Sequence, residues 1–190
     1  MEMERRSALM PAQFKTRDAE DGLYIEGYFS VFNSVYEMWP GATESVDPHA
    51  FDDTLGDDIR CLINHDSSLV LGRTKAGTLE LRVDEHGLWG RVQVNPNDQD
   101  AVNLYERVKR GDVDQCSFGF VIEEEDTEWK EDDSVHFTLL RVRLFEVSIV
   151  TFPAYEDTSV EARKRDLEDL RAKRVQAMRE GLLKKLKGEA

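Results

Sequence analysis

Hydrophobic and polar positions along the 190 residues repeat with two periods, and the two-residue period dominates. Leu23–Phe32 interleaves aromatic and β-branched residues with polar ones, which predicts a strand. Cys61-Leu62-Ile63 reads as a short buried strand ending at Asn64-His65-Asp66. Thr78–Val83 and Leu88–Val94 flank Asp84-Glu85-His86-Gly87, the pattern of a hairpin with a short loop. Gln115–Ile122 and His136–Val150 form two more strand regions. Between them, Glu123–Asp133 holds eight acids and one lysine and is expected to be a solvated hairpin tip.

The helical period appears in three places. Ala101, Leu104, Tyr105 and Val108 share one helix face after Pro96, with Asn97 or Asp98 as cap and Gly111 as stop. Pro48 after Asp47 suits the first turn of a short helix that carries Ala50, Phe51 and Leu55 and ends near Gly56. In the tail, Leu167, Leu170, Val175, Met178, Leu182 and Leu186 fall on one side of an amphipathic helix. The fold class expected from this pattern is α+β, mainly antiparallel β. Three parts follow along the chain: an N-terminal extension over 1–20, a main domain over 21–160 and a basic helical tail over 161–190.

Charge separates body from tail more sharply than any linker. The chain has 25 Lys and Arg against 39 Asp and Glu, a net charge of −14. Residues 161–190 nevertheless carry ten basic and six acidic side chains. An acidic body repels a phosphate backbone, because nucleic-acid affinity rests on cations that displace counterions, so no nucleic acid is expected as partner. Uncharged apolar runs such as Val147–Val150 are far shorter than the ~20 residues that span a bilayer, and residues 1–7 lack the apolar core of a secretory signal. No membrane association and a cytoplasmic location are expected. Cys61 and Cys116 form no C-x-x-C motif and read as reduced thiols.

The candidate chemistry centres on His65 and Ser117. A lone His or Ser at a strand end or inside a strand is usually structural. Ser117, however, is followed by Phe118-Gly119-Phe120, and a glycine in a strand often marks close approach by a ligand or another backbone. A serine hydroxyl needs a base to take its proton, a histidine suits that task near neutral pH, and a third group must hold the imidazole's tautomer. Glu146, a carboxylate between Phe145 and Val147, needs a partner in a buried strand, either His65 or, in a purely structural role, Arg141 or Arg143. His136 competes for the third place.

Five blocks in order carry a resemblance over about residues 20–160. They are Gly27–Phe32, Pro48–Phe51, Leu62–Asp66 with Leu71-Gly72, Ser117–Phe120, and Leu144–Tyr155. Together they resemble the prohead (capsid maturation) proteases of tailed phages, a family similar in fold and mechanism to the herpesvirus assemblins. The resemblance implies a small β-barrel with surrounding helices and no metal or cofactor. Ser117 would be the nucleophile, His65 the general base and Glu146 the third member, ahead of His136. It further implies a protein substrate: the scaffolding region of the major capsid protein, cut inside the assembling prohead in the host cytoplasm, together with the protease's own ends. The assemblins work as dimers, which makes a homodimer one state to test. The basic tail suits docking on an acidic helical scaffold.

Three other readings compete. Cys116 offers a thiol nucleophile, but neighbours in a strand face opposite ways, so only one of Cys116 and Ser117 can face His65. A non-enzymatic capsid-associated binding module would keep the fold without the chemistry. A metal site from His49, His65 and Asp66 matches no ligand spacing. Backbone N–H groups near Gly72, Gly119 or Arg141–Arg143 are the candidate oxyanion donors.

Overall fold

The computed structural model describes residues 4–7, 14–20, 22–152, 167, 168, 171–180 and 183. Two compact units divide the chain, Met1–Tyr155 and Glu156–Ala190. In the second, the described residues 167, 168, 171–180 and 183 are helical, with Val175 and Met178 exposed. The rest of the expected tail helix lies outside the described residues.

Among its described residues the first unit has eleven strands and one long helix. In chain order the strands are β1 (Glu4–Ser7), β2 (Lys15–Ala19), β3 (Gly22–Val31), β4 (Tyr36–Trp39), β5 (Ala42–Val46), β6 (Arg60–Ile63) and β7 (Asp66–Arg73). A single 3₁₀ turn, Thr74–Ala76, then leads to β8 (Leu79–Val83) and β9 (Gly87–Val94). Helix α1 (Gln99–Arg110) precedes the two long strands β10 (Gln115–Trp129) and β11 (Val135–Val150).

These strands form two sheets. The larger follows the order β1-β10-β11-β5-β4, with β6 also pairing β11 and β7 pairing β6. The smaller is antiparallel, in the order β2-β3-β9-β8. The larger sheet is mixed, since β5 and β6 both run parallel to β11. No closed barrel forms among the described residues, which corrects the barrel that the resemblance implied: the ladder breaks into two sheets. Both sheets turn their apolar sides toward one core, with Ile25, Phe29, Leu88 and Val92 from the smaller sheet. Cys116, Phe118, Phe120, Val147 and Ile149 come from the larger one. The residues expected to form an N-terminal extension contribute β1 and β2, one to each sheet.

Local chemistry accounts for the clearest elements. Asp98 caps α1, its side chain accepting from the N–H groups of Asp100 and Ala101, and Gly111 ends it at φ 85°, where a glycine carries no steric cost. Ala101, Leu104, Tyr105 and Val108 are its buried side, as the spacing predicts. Asp84 accepts from the N–H groups of His86 and Gly87 and so closes the β8–β9 hairpin. Two expectations change. Asp47–Asp57 is a chain of three-residue turns, with N–H groups of Ala50, Asp52, Thr54 and Asp57 bonded three residues back, instead of an α-helix. Two of its polar groups bond β11: Ala50 O accepts from Val142 N–H and Thr54 Oγ1 from Leu144 N–H, which holds the segment away from helical geometry. The acidic stretch is also mostly strand. β10 and β11 stay paired out to Trp129 and Val135, because Glu123 and Glu124 face Arg141 and Arg143 across the ladder and their charges are neutralised.

Asp58 ties the β6–β7 hairpin from outside, accepting from Arg73 Nε at 2.6 Å and Nη2 at 2.5 Å and from Arg60 Nη2 at 3.2 Å. The hydrogen bonds from Arg73 lead the causes that pull its carboxyl down to about 2 from an ordinary 3.8. A carboxyl depressed by folding stabilises the native state above its ordinary pKa and loses that contribution as pH falls through its folded value. The urea midpoint of Asp58→Asn is therefore expected below wild type by a constant amount above about pH 4, the gap closing toward pH 2. A gap independent of pH over that range would show that the ion pair contributes nothing.

Candidate active site

His65 is placed by a two-residue turn. Ile63 and Asp66 pair across the β6–β7 hairpin, leaving Asn64 and His65 as its central residues at φ 51° and 60°. Positive φ at both positions is the type I′ requirement, met most easily by Asn-Gly. Asn at the first position fits; His at the second is costly and is held there by its surroundings. Asn64 supplies the hold: its N–H donates to Ile149 O at 3.0 Å and its Oδ1 accepts from Thr151 N–H at 2.8 Å, fastening the turn to the end of β11.

The turn carries His65 to Glu146. His65 Nδ1 lies 2.6 Å from Glu146 Oε1, with the two side chains 10% and 7% exposed. A carboxylate only accepts, so Nδ1 bears the proton, and in the neutral imidazole Nε2 presents its lone pair. That Nε2 is buried and has no hydrogen-bond partner among the described residues. An unsatisfied buried polar atom costs about 1–3 kcal/mol, and such a cost is characteristic of working sites.

Strand alternation separates the two faces of β10 and β11. Cys116, Phe118, Val147 and Ile149 point into the core between the sheets, so Ser117, Gly119, Glu146 and Ser148 point to the opposite face. Ser117 pairs with Ser148 across the ladder and Gly119 with Glu146, which sets the serine two register positions from the carboxylate, on the same face. Ser148 Oγ donates to Glu146 Oε2 at 2.6 Å, and so the two carboxylate oxygens answer to two different donors. At Gly119, a Cβ would stand 2.5 Å from Glu146 Oε1, so a glycine is required for the carboxylate to lie flat against β10. Ser117 itself is fully buried.

The other candidates fall elsewhere. His136 has both ring nitrogens engaged, Nδ1 at 2.8 Å from Thr43 Oγ1 and Nε2 at 2.9 Å from Ser45 Oγ, on the far part of β11. Arg141 and Arg143 pair with Glu123 and Glu124, not with Glu146. Cys116 Sγ faces the carbonyls of Tyr28 and Phe29 on β3, on the side away from His65. Cys61 is buried beside Glu146, and both burial and that charge hold its thiol protonated, with its pKa well above the ordinary value. His49 bonds Asp52 on the surface, and no cluster that could hold a metal exists among the described residues. Of the candidate oxyanion donors, Val142 N–H is committed to Ala50 O. A Cβ at Gly72 would press on Thr78 O and Val92, so that glycine serves packing.

A family model described as caudovirus prohead serine protease matches residues 11–173. The chain belongs to that family. It is 29% identical over 153 residues to the prohead protease of Enterobacteria phage HK97, covering 78% of this chain. It spans 63% of the length of that relative. Among solved structures it is similar to the bacteriophage T4 capsid assembly protease at a TM-score of 0.49 and 11% identity, over 78% of this chain and 96% of that one.

Two parts of this candidate site escaped the sequence reading, Ser148 and the clamp made by Asn64. A signal existed for Ser148: two residues after Glu146 in a strand, it must share its face. For Asn64 the signal was weaker, an Asn in the first position of a tight turn. The carboxylate position makes a direct test. In Gly119→Ala, Glu146 Oε1 has to withdraw from His65, so the downfield proton resonance of the short Nδ1–H···O bond is expected to disappear while circular dichroism stays unchanged. Retention of that resonance would show that the strand, and not the carboxylate, gives way.

Proposed function

We propose that this chain is a serine endopeptidase of phage capsid maturation, with Ser117 as nucleophile, His65 as general base and Glu146 as the group that orients and charges the imidazole. The observation that carries the reading is the His65–Glu146 pair, whose Nε2 lone pair is left unspent on the sheet face that also bears Ser117. As Ser117 Oγ attacks the scissile carbonyl carbon, Nε2 takes the hydroxyl proton and the imidazolium forms against the carboxylate. The same proton passes to the leaving amine when the peptide C–N bond breaks, giving the acyl-enzyme. Water, deprotonated by Nε2, then releases the acyl group and restores the hydroxyl.

Ser148 and Gly119 act as positioning residues, one bonding the carboxylate and the other clearing its place. The thiol of Cys116 is excluded from this chemistry by its strand face. The substrate assigned here is the scaffolding region of the major capsid protein, processed within the assembling prohead. The HK97 relative is named a prohead protease, and membership of the same family supports that assignment. The basic segment 161–190 suits docking on an acidic scaffold, and no described helix is long and apolar enough to cross a membrane.

Co-expression with the capsid subunit tests the assignment directly: the subunit should shorten with the wild-type chain and stay intact with Ser117→Ala. Ser117→Ala and His65→Ala are each expected to lower cleavage by ~10⁴-fold or more, with a double variant little worse than either single one, since the residues act as a unit. Additive losses, or processing by Ser117→Ala at the wild-type rate, would exclude the serine mechanism. A capsid-associated binding module, by contrast, would remain unlabelled by a fluorophosphonate at Ser117.

The roles of the acid and its support separate by degree. Glu146→Gln keeps the shape but loses the charge and is expected to cost up to ~10⁴-fold in kcat. Ser148→Ala removes one hydrogen bond to the carboxylate and should cost about 10-fold, matching the ~1.5 kcal/mol of a bond to a charged group. His136→Ala should stay near wild type in kcat. A crippled His136→Ala beside a near-normal Glu146→Gln would assign the third place to the second histidine.

A further inference from the structure

β10 has two edges. One is paired with β11 along its whole length; the other, among the described residues, pairs only with β1, antiparallel, with Glu4 opposite Phe120, Arg5 opposite Gly119, Arg6 opposite Phe118 and Ser7 opposite Ser117. The backbone of β1 thus passes directly beside the proposed nucleophile. We propose that this edge of β10 is the docking site for the substrate polypeptide, bound as an added antiparallel strand, and that β1 is an internal occupant which the substrate displaces. The inference rests on the serine-peptidase reading above and names how that site receives its substrate.

Three observations converge on it. First, Ser117 is fully buried, whereas a serine that attacks a peptide carbonyl has to be reached by one, so some neighbouring element must yield. Second, β1 is the element least able to resist: four residues of sequence Glu-Arg-Arg-Ser, paired on one side only among the described residues. A strand so short gains little from its own length, and the main-chain hydrogen bonds that pair it with β10 are ones an incoming peptide also offers. Third, addition of an extended peptide to a sheet edge is a general recognition mode in which the main chain supplies affinity and alternate side chains supply specificity. In the register that β1 now holds, a peptide residue in place of Ser7 would bring its own backbone level with Ser117, where a scissile carbonyl is needed.

The test weakens β1 in the full chain. Proline cannot donate to a ladder, and donors alternate along a strand, so Arg5→Pro with Arg6→Pro removes whichever N–H faces β10. Fluorophosphonate labelling of Ser117 in this double variant should run at least ~10-fold faster than in wild type, because the closed state no longer holds the site. A synthetic peptide copying residues 1–13, added in trans, should return labelling to the slow rate. Equal labelling rates, slower labelling in the variant, or indifference to the peptide would overturn the proposal. If neither protein labels at all, the serine reading fails, and binding of the fluorescent peptide to the variant but not to wild type still decides the edge: binding supports the strand site and its absence removes it. Amide exchange on the unaltered chain is the independent check. Excess peptide should speed exchange at Glu4–Ser7 while Ser117–Phe120 stay protected, and unchanged exchange at Glu4–Ser7 would count against displacement.

Discussion

Glu146 places a carboxylate on a sheet face where its side chain is 7% exposed, and the site is organised around the need to answer that charge. Removing an ion from water costs several kcal/mol unless hydrogen bonds replace the lost hydration. Here one oxygen accepts a hydrogen bond from Nδ1 of His65 and the other from the Ser148 hydroxyl, while the missing side chain at Gly119 gives the carboxylate room. Each of these residues is fixed by a different strand or turn. The carboxylate is therefore a meeting point of β6, β10 and β11, and its satisfaction requires all three to be in register.

The same requirement explains why two long strands dominate the unit. One face of β10 and β11 is spent on packing, with Phe118 stacked on Phe120 and in edge contact with Phe51. The other face is spent on chemistry. Alternation keeps the two uses apart at every step between Gln115 and Gly119, so Cys116 and Ser117, adjacent in sequence, serve opposite sides. A one-residue slip in this ladder would exchange the thiol for the hydroxyl and turn Glu146 into the apolar core. The core therefore protects the register on which the site depends.

Strain is concentrated where the histidine is delivered. His65 occupies a left-handed position that favours glycine, and the turn persists because Asn64 is bonded twice to the end of β11. The parallel pairing of β6 with β11 makes this reach feasible, since it brings the end of β6 beside Ile149 and Ser148.

Much of this was legible in the amino-acid sequence because it depends on local chemistry. The capped α1, the Asp84 hairpin and the strand around Ser117 follow from spacing and turn residues, and an acid among apolar neighbours marked Glu146 as in need of a partner. The identity of that partner was not local. His65 and Glu146 are 81 positions apart, and only the parallel docking of β6 on β11 selected His65 over Arg141 and Arg143, whose charges were met by Glu123 and Glu124 instead. The Asp47–Asp57 turns likewise followed tertiary bonding to β11 over helix propensity, and the barrel that the family resemblance implied gave way to two sheets, since strand periodicity specifies a buried face but not whether a ladder closes. The sequence determined which side chains could carry the chemistry and which face of each strand would bear them; the tertiary structure decided which of them meet, because a hydrogen bond of 2.6 Å is satisfied by position in space and leaves no trace in spacing along the chain.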